Sequence, residues 1–247
     1  MREQILTITE NRKIAPKTFS MTLKTSKGDH GIRRPGQFIN IKLDGFFLRR
    51  PISVCSWEDD SLTIIYKVVG AGTEAMSHYE PEKSLNVLLP LGNGFDTSVS
   101  GEHPVLIGGG AGVPPMYGLC RQLLAEGRQP TVVLGFNKKE ESFYIEEFKT
   151  LGADVVVATA DGSLGVEGFV TDALENLSYT YFYACGPEAM LKALDGKIPA
   201  GVGGQLSFEE RMGCGFGACM GCSCETKYGN KRICKEGPVL ERGEILW

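Results

Sequence analysis

The sequence predicts a multidomain β and α/β protein, with an N-terminal antiparallel β-barrel, a second unit built on a parallel sheet, and a small cysteine-rich C-terminal segment. Three observations support this. Short alternating segments with turn signals fill the first hundred residues, strands and helices alternate from Pro104 onward, and four cysteines crowd into the last quarter of the chain. The predicted limits of the three units are residues 1–100, 101–203 and 204–247.

The composition is that of an ordinary globular protein. The 247 residues, 42% hydrophobic and 23% charged, suffice for two folding units and an appendage. A net charge of −4 provides no basic surface for nucleic acid or membranes. No apolar run is long enough to cross a bilayer, and the N-terminus has no signal-peptide core. We therefore expect a cytoplasmic protein with no nucleic-acid or membrane partner, whose eight cysteines are ligands or buried thiols.

Three segments of the first unit alternate between apolar and polar residues, namely Thr18–Thr25, residues 38–43 and residues 62–68. Turn-forming residues separate them, at residues 27–29, 35–36 and 59–60. Short strands at this spacing are typical of a small antiparallel barrel.

The second unit has a different pattern, in which apolar strands are followed by helices. Its strands are predicted at residues 104–107, Thr131–Phe136, 154–158 and 179–184. Its helices are predicted from Pro114 to near Gly127, and at residues 143–151 and 170–177. Strands and helices that alternate with short connections indicate a parallel sheet flanked by helices.

The C-terminal segment contains Cys214, Cys219, Cys222 and Cys234 in the spacing C-x4-C-x2-C-x11-C. This is the ligand pattern of a plant-type 2Fe-2S cluster, in which one tight loop supplies three thiolates. Glycines at four positions in the loop allow positive φ and bring backbone N–H groups close to an anionic cluster. They are Gly213, Gly215, Gly217 and Gly221.

A structural zinc site is the alternative for these thiols. Zinc sites usually contain two separated C-x2-C-like pairs, so the crowding of three cysteines favours the iron-sulfur cluster. Cys224 is a fifth candidate, but the C-x-C step from Cys222 leaves little room for both to bind. Cys55 and Cys120 lie in apolar segments and are predicted to be core residues.

Two motifs of the first unit are suited to binding a diphosphate. Arg50 lies in an R-P-I-S sequence that we predict to end a strand, and Gly72 and Thr73 lie in a G-x-G-T turn that opens a short helical segment. An arginine binds a diphosphate bidentately, and a helix N-terminus offers free N–H groups to the same anion. Each motif alone is weak evidence.

The order of the motifs resembles the ferredoxin-NADP reductase superfamily. They are R-P-I-S, G-x-G-T, L-P-L-G-N-G-F at residues 89–95, G-G-G-A-G-V-P-P at residues 108–115, and C-G-P at residues 185–187. With the cysteine loop and its string E-R-M-G-C-G-F-G-A-C at residues 210–219, the chain is similar to one branch, the electron-transfer subunits of NAD-dependent dihydroorotate dehydrogenase.

The resemblance implies an FAD site on the barrel. Arg50 would bind the FAD diphosphate and Ser53 would lie near the flavin ring edge. Ile52 occupies the position where many superfamily members have a tyrosine stacked on the flavin. The remaining members of the implied site are Pro51, Ile65, Tyr66, Lys67, Gly72 and Thr73.

The resemblance implies that the second unit binds a nicotinamide dinucleotide, and its glycine loop is suited to a diphosphate. Gly109, Gly110 and Gly112 precede a helix that begins at Pro114, so glycines at a strand end admit a diphosphate to a helix N-terminus. The spacing is not the G-x-G-x-x-G fingerprint. The resemblance favours NAD over NADP, although two lysines after Gly135 could meet a 2′-phosphate. They are Lys138 and Lys139.

By resemblance, Cys185, Gly186 and Pro187 lie close to the nicotinamide end of the dinucleotide. A buried thiol at the end of a strand is an equally good interpretation of Cys185.

The motifs together imply an electron-transfer protein. Nicotinamide exchanges a hydride, an iron-sulfur cluster passes single electrons, and a flavin does both. His30, His78 and His103 are scattered, so no catalytic residue for oxidising an organic substrate is predicted.

The resemblance further implies a partner subunit. That subunit would contain FMN and oxidise dihydroorotate in pyrimidine biosynthesis, in a two-plus-two heterotetramer. One alternative is the reductase subunit of a sulfide dehydrogenase or a transhydrogenase-type flavoprotein. The other alternative is a protein without turnover, either a cofactor-binding redox sensor or a zinc-stabilised interaction module.

Overall fold

The first part of the chain closes into an antiparallel barrel with the strand order β1-β2-β5-β4-β3-β6. The computed structural model describes residues 1–26 and 28–247, so Lys27 in the first predicted turn lies outside the described residues. The barrel strands are β1 (Arg2–Ala15), β2 (Thr18–Thr25), β3 (Phe38–Ile41), β4 (Arg50–Trp57), β5 (Ser61–Lys67) and β6 (Ser84–Leu91). A short helix, α1 (Ala71–Ser77), follows β5.

Strand β1 is not among the strands predicted from the sequence. The prediction that the R-P-I-S motif ends a strand is wrong, because Arg50 begins β4. In β1, register shifts between Ile8 and Glu10 and between Lys13 and Ala15 interrupt the period of two. Arg50 begins β4 because β4 runs antiparallel to β3 and pairs Arg50 with the last residue of that strand, Ile41.

The second part of the chain forms a seven-stranded sheet, counted over the described residues, in the order β10-β9-β8-β7-β11-β12-β15. All neighbours are parallel except β12 and β15. The strands are β7 (Pro104–Gly109), β8 (Thr131–Phe136), β9 (Asp154–Thr159), β10 (Val166–Glu167), β11 (Tyr181–Cys185), β12 (Gly204–Ser207) and β15 (Val239–Glu241). The helices are α2 (Val113–Ala125), α3 (Ile145–Thr150), α4 (Val170–Ala173) and α5 (Glu188–Lys197).

The sheet continues past residue 203, where the sequence analysis places the start of the third unit. Strands β12 and β15 belong to this C-terminal segment and extend the sheet beyond β11. The same segment contains a separate hairpin of β13 (Ser223–Thr226) and β14 (Gly229–Arg232). The limits 1–100, 101–203 and 204–247 stay predictions. Within the described residues, no helix has both the length and the apolar character that a membrane crossing requires.

The barrel packs against the rest of the molecule at several places, of which two are close contacts to backbone carbonyls. Helix α2 lies against β4 so closely that a Cβ on Gly118 would lie 2.8 Å from the Cys55 carbonyl oxygen. On the other side, Asn93 donates through Nδ2 to the carbonyls of Glu236 and Val239, at 3.1 and 2.7 Å. These contacts place a cavity between barrel and sheet.

Candidate functional site

A cavity of about 660 Å³ lies between the barrel and the carboxyl ends of the parallel strands. It brings together eight of the residues that the sequence analysis assigns to two different cofactors. They are Ile65, Tyr66 and Lys67 from the barrel, and Gly109, Gly110, Gly112, Gly186 and Pro187 from the sheet.

The glycine loop after β7 packs directly against the end of β11. A Cβ on Gly112 would lie 2.0 Å from the Cys185 carbonyl oxygen, and one on Gly109 would lie 2.4 Å from the Met190 sulfur. Helix α2 begins immediately afterwards, with Pro114 in its first turn. Pro114 and Pro115 have no N–H, and the Val113 N–H donates to the Gly110 carbonyl. The bare backbone of the glycine loop is therefore the part of this segment that fits a dinucleotide diphosphate.

Arg50 lies beside the start of α1. A Cβ on Gly72 would lie 2.3 Å from Arg50 Nε, and the guanidinium lies 5.0 Å from the centre of the Phe46 ring. Thr73 Oγ1 accepts a hydrogen bond from the Val69 N–H at 3.0 Å. The two predicted diphosphate-binding motifs are therefore adjacent in space, as the hypothesis of one shared anion requires.

Most of the predicted flavin set, and one residue of the predicted nicotinamide set, lie outside the cavity walls. In the described structure, the walls do not include Arg50, Pro51, Ile52, Ser53, Gly72, Thr73 or Cys185. Cys185 is buried, and its burial raises the pKa of the thiol to about 12. Its environment is that of a packed thiol at the end of a strand, which was one of its two interpretations.

An ion pair spans the cavity. Lys67 Nζ from the barrel lies 3.4 Å from Glu141 Oε2 of the sheet unit, and Asn137 Nδ2 donates to the same oxygen at 3.1 Å. Burial opposes ionisation of Glu141, but the bond from Asn137 and the charge of Lys67 lower its pKa. Of the described residues, neither Lys138 nor Lys139 lines this cavity.

The sequence analysis misses Glu209, which also lines the cavity. Burial raises the pKa of this carboxyl group. Glu209 lies one residue before the string that carries the family resemblance, so its place in the sequence was the available signal. Its contact with the cavity depends on β12, which was not predicted.

The first two cysteines of the C-terminal loop form a pair. Cys214 Sγ accepts hydrogen bonds from the N–H groups of Ala218 at 3.2 Å and Cys219 at 3.4 Å, and Cys219 Sγ accepts one from Gly221 at 3.5 Å. Burial opposes ionisation of Cys214, but backbone N–H donors and the Cys219 thiol lower its pKa to about 6. This loop stabilises thiolates.

The other two cysteines form a second pair, inside the protein. Cys222 and Cys234 are each 2% exposed, and the Cys234 N–H donates to Cys222 Sγ at 3.4 Å. Burial and the contact with Cys222 raise the pKa of Cys234 to about 12.

Two thiol pairs fit a two-iron cluster, which four cysteines hold between them. Over the described residues, no three His, Cys, Asp or Glu side chains form a group that could hold a metal ion.

Cys224 belongs to neither pair. It lies in β13, and its thiol donates to the Glu225 carbonyl at 3.6 Å.

Comparison with known families and proteins agrees with this geometry. Residues 209–246 match the iron-sulfur cluster binding domain of dihydroorotate dehydrogenase B, and residues 106–195 match an oxidoreductase NAD-binding domain. The electron transfer subunit of dihydroorotate dehydrogenase B (NAD(+)) from Bacillus pumilus is 43% identical, over 99% of this chain and 98% of its own. The Fusobacterium nucleatum subunit is 42% identical, over 99% of each chain. The chain belongs to the family of dihydroorotate dehydrogenase B electron transfer subunits.

Solved structures extend the comparison. A structure described as the NADH-dependent reduced ferredoxin-NADP oxidoreductase of flavin-based electron bifurcation has a TM-score of 0.88 and 29% identity. The match covers 98% of this chain and 90% of that one. Phthalate dioxygenase reductase has a TM-score of 0.69 at 22% identity, covering 84% of this chain and 67% of that one, which shows the fold alone.

These matches confirm several predictions. The family resemblance, the barrel and parallel-sheet fold, and the assignment to an NAD-linked oxidoreductase subunit are confirmed. The matches bear out the predicted flavin, iron-sulfur cluster and NAD as the cofactors. The assignment of individual residues to each cofactor stays a prediction.

Proposed function

We propose that this subunit carries electrons from a partner subunit, through a 2Fe-2S cluster and FAD, to NAD⁺. The partner contains FMN and oxidises dihydroorotate to orotate in pyrimidine biosynthesis, within a cytoplasmic two-plus-two heterotetramer. The observation that carries the proposal is the combination, in one chain, of a cavity between barrel and sheet with two thiol pairs in a C-terminal segment that contacts the barrel.

The proposed residue assignments combine the family resemblance with the two thiol pairs and the cavity lining. Cys214 and Cys219 hold one iron, and Cys222 and Cys234 hold the other. Gly109, Gly110, Gly112, Cys185, Gly186 and Pro187 form the NAD site. Arg50, Pro51, Ile52, Ser53, Ile65, Tyr66, Lys67, Gly72 and Thr73 form the FAD site.

The residues of this chain bind the diphosphates of both dinucleotides and stabilise the thiolates that hold the cluster. The glycine loop before α2 accepts the NAD diphosphate, and Arg50 with the start of α1 accepts that of FAD. The N–H groups around Cys214 and Cys219 stabilise sulfur anions. FAD, when bound, converts between the hydride of nicotinamide and the single electrons of the cluster.

We assign oxidation of the organic substrate to the partner, as the family resemblance implies, and the positions of the histidines agree with this. In the described structure, none of the three histidines lines the cavity. His30 is buried with Nε2 beside the Glu58 carbonyl, and exposed His78 lies beside Glu74.

A transhydrogenase-type flavoprotein subunit is the second candidate. The bifurcating oxidoreductase structure favours it, because that match extends over nearly the whole of both chains. The greater identity to dihydroorotate dehydrogenase B subunits favours the first proposal. Reduction of NADP⁺ or ferredoxin by a complex isolated with its partner would support the second candidate.

The purified chain tests the division of labour. Loaded with FAD and cluster, it should reduce ferricyanide with NADH and leave dihydroorotate unchanged. Adding the FMN subunit should produce orotate and NADH in equal amounts from dihydroorotate and NAD⁺. Turnover of dihydroorotate by the isolated chain would contradict the proposal.

The cysteine assignment has a matched pair of variants. Cys222→Ser removes a ligand from the buried pair, and Cys224→Ser changes a thiol two residues away that belongs to neither pair. We expect iron and acid-labile sulfide to be lost from Cys222→Ser and kept in Cys224→Ser, with the visible spectrum following the iron. Equal loss in both variants, or zinc in place of iron in the wild type, would refute the assignment.

A further inference from the structure

We propose that Asn40 is a positioning residue that fixes the Cys214–Cys219 half of the cluster against the flavin-binding strand of the barrel. The inference rests on the proposed cluster and FAD sites. Its basis is a buried amide that joins barrel strand β3 to the cysteine loop. Asn40 is 1% exposed, and its Nδ2 donates to the Cys214 carbonyl at 3.3 Å.

Strand β3 lies between the two proposed cofactor sites. Its alternate residues Ile39 and Ile41 point into the barrel core, so Phe38 and Asn40 point outward. Phe38 belongs to the same buried cluster as Cys222 and Cys234. The outward face of β3 therefore contacts the Cys214 loop through Asn40, and through Phe38 it belongs to the buried cluster that contains the second thiol pair.

The same strand is paired with the R-P-I-S motif. The partner of Phe38 in β4 is Ser53, and the partner of Asn40 is Pro51. A shift of the cysteine loop relative to Asn40 is thus a shift relative to the strand that is assigned to the flavin. Electron transfer between the two cofactors requires that this separation be held.

The fit between Asn40 and the loop is close. Gly215 has φ +76°, and a Cβ there would lie 2.2 Å from Asn40 Nδ2. The absence of a side chain at Gly215 is what lets the amide reach the Cys214 carbonyl. The loop glycine and the barrel asparagine form one contact.

The Asn40 amide lowers the stability of the folded protein in one respect, and this cost indicates what the residue is for. In the described structure, Asn40 Oδ1 is buried without a hydrogen-bond partner, and a buried unpaired acceptor is destabilising. A leucine of similar size would avoid that cost. The advantage of asparagine at this position is therefore the bond to Cys214.

Asn86 provides a matched control. It is also a barrel asparagine, its Oδ1 is likewise buried without a partner in the described structure, and its Nδ2 donates to Glu3. Asn86→Leu therefore removes a similar amide from the barrel without touching the cysteine loop.

The experiment compares wild type, Asn40→Leu, Asn40→Asp and Asn86→Leu as full-length chains loaded with FAD and cluster. After rapid mixing with NADH, flavin bleaching and cluster reduction are followed separately. Release of iron to a ferrous chelator and the EPR spectrum of the reduced cluster are also recorded. For both Asn40 variants we expect flavin bleaching at the wild-type rate, slower cluster reduction and an altered EPR spectrum. Iron release should be about two- to tenfold faster, the range for one lost hydrogen bond.

Gly215→Ala tests the same contact from the loop side, and decides the matter if Asn40→Leu does not fold. Its Cβ displaces the Asn40 amide, so it should reproduce the slower cluster reduction while the barrel sequence stays intact. Wild-type kinetics and iron release in Gly215→Ala and in the folded Asn40 variants would overturn the inference, and so would an equal effect in Asn86→Leu. A wild-type chain without iron would instead overturn the proposed function.

Discussion

At the scale of single residues, the most demanding position is Gly112, where the dinucleotide loop meets β11. The Cys185 carbonyl lies where a side chain would begin, so the loop can lie on the strand end only with glycine here. Glycine at this position keeps the start of α2 open to a diphosphate.

Gly112→Ala should therefore destabilise the protein and weaken NADH binding. The Cβ would lie 2.0 Å from a backbone oxygen, so the loop must move, at a cost of at least the roughly 1–3 kcal/mol typical of overpacking. Thermal unfolding and the KM for NADH measure the effect. Gly196→Ala is the control, because that helix position has open space around it. An unchanged KM in Gly112→Ala would exclude this role.

Cys120 illustrates a second effect at this scale, the cost of burying an ionisable thiol. The residue is 0% exposed on α2, and its burial raises the thiol pKa from 9.0 to about 12. Because the folded state keeps the proton while the unfolded state loses it, stability must fall as pH rises from 9 to 12.

Cys120→Ala should remove this component of the alkaline destabilisation. One thiol contributes a slope of up to about 1.4 kcal/mol per pH unit between its unfolded and folded pKa values. Urea unfolding at several pH values above 8 should show a shallower decline for the variant than for wild type. The variant is expected to be less stable at pH 8, since it loses buried volume. Parallel declines would show that Cys120 does not titrate on unfolding.

At the scale of elements, Arg242 joins the C-terminal segment to helix α5. Its guanidinium donates to the backbone carbonyls of Asp195 and Ile198 at the end of that helix, at 2.7 and 2.8 Å, and pairs with Asp195 Oδ1 at 2.6 Å. Carbonyls at a helix end have no partner within the helix, so Arg242 acts as a C-cap supplied from elsewhere in the chain.

Arg242→Met should lower the free energy of unfolding by about 1.5–3 kcal/mol, the range for losing hydrogen bonds from a charged group. The Arg242 side chain is 15% exposed, so solvent replaces its contacts poorly. Arg12→Met serves as the comparison, because Arg12 is 54% exposed and its ion pair with Glu10 is worth at most about 1 kcal/mol. Urea denaturation of both variants distinguishes them, and equal midpoints would contradict the assigned role.

At the scale of the whole molecule, the packing of α2 on β4 sets the distance between the barrel and the sheet. Gly118 is the point of closest approach, against the Cys55 carbonyl. Since the cavity lies between these two units, any separation of α2 from β4 changes the spacing of the two proposed nucleotide sites.

Gly118→Ala should slow the reduction of FAD by NADH while leaving the cluster intact. The new Cβ would meet the Cys55 oxygen at 2.8 Å and push the units apart. We expect a loss of about tenfold or more, since a misplacement of about 1 Å costs up to about a hundredfold. Rapid mixing with NADH measures the rate, and the iron content checks the cluster. A wild-type rate would show that the two units adapt to the extra methyl group.

The sequence by itself determined the features whose signals are local. The spacing of Cys214, Cys219, Cys222 and Cys234, the glycine loop before α2 and the strand Thr131–Phe136 are each contained in a short stretch. Their chemistry depends on residue type and spacing, so the fold class and the iron-sulfur cluster could be predicted from them, whereas FAD and NAD were implied by the family resemblance.

Only the tertiary structure decided which distant residues meet. Strands β12 and β15 were not predicted, because each has only three or four residues and takes its hydrogen bonds from neighbours far along the chain. The contact of Asn40 with Cys214 joins residues 174 positions apart, and Glu209 reaches the cavity only because β12 lies beside β11. Such contacts arise from chain packing, which a local pattern of residues does not encode.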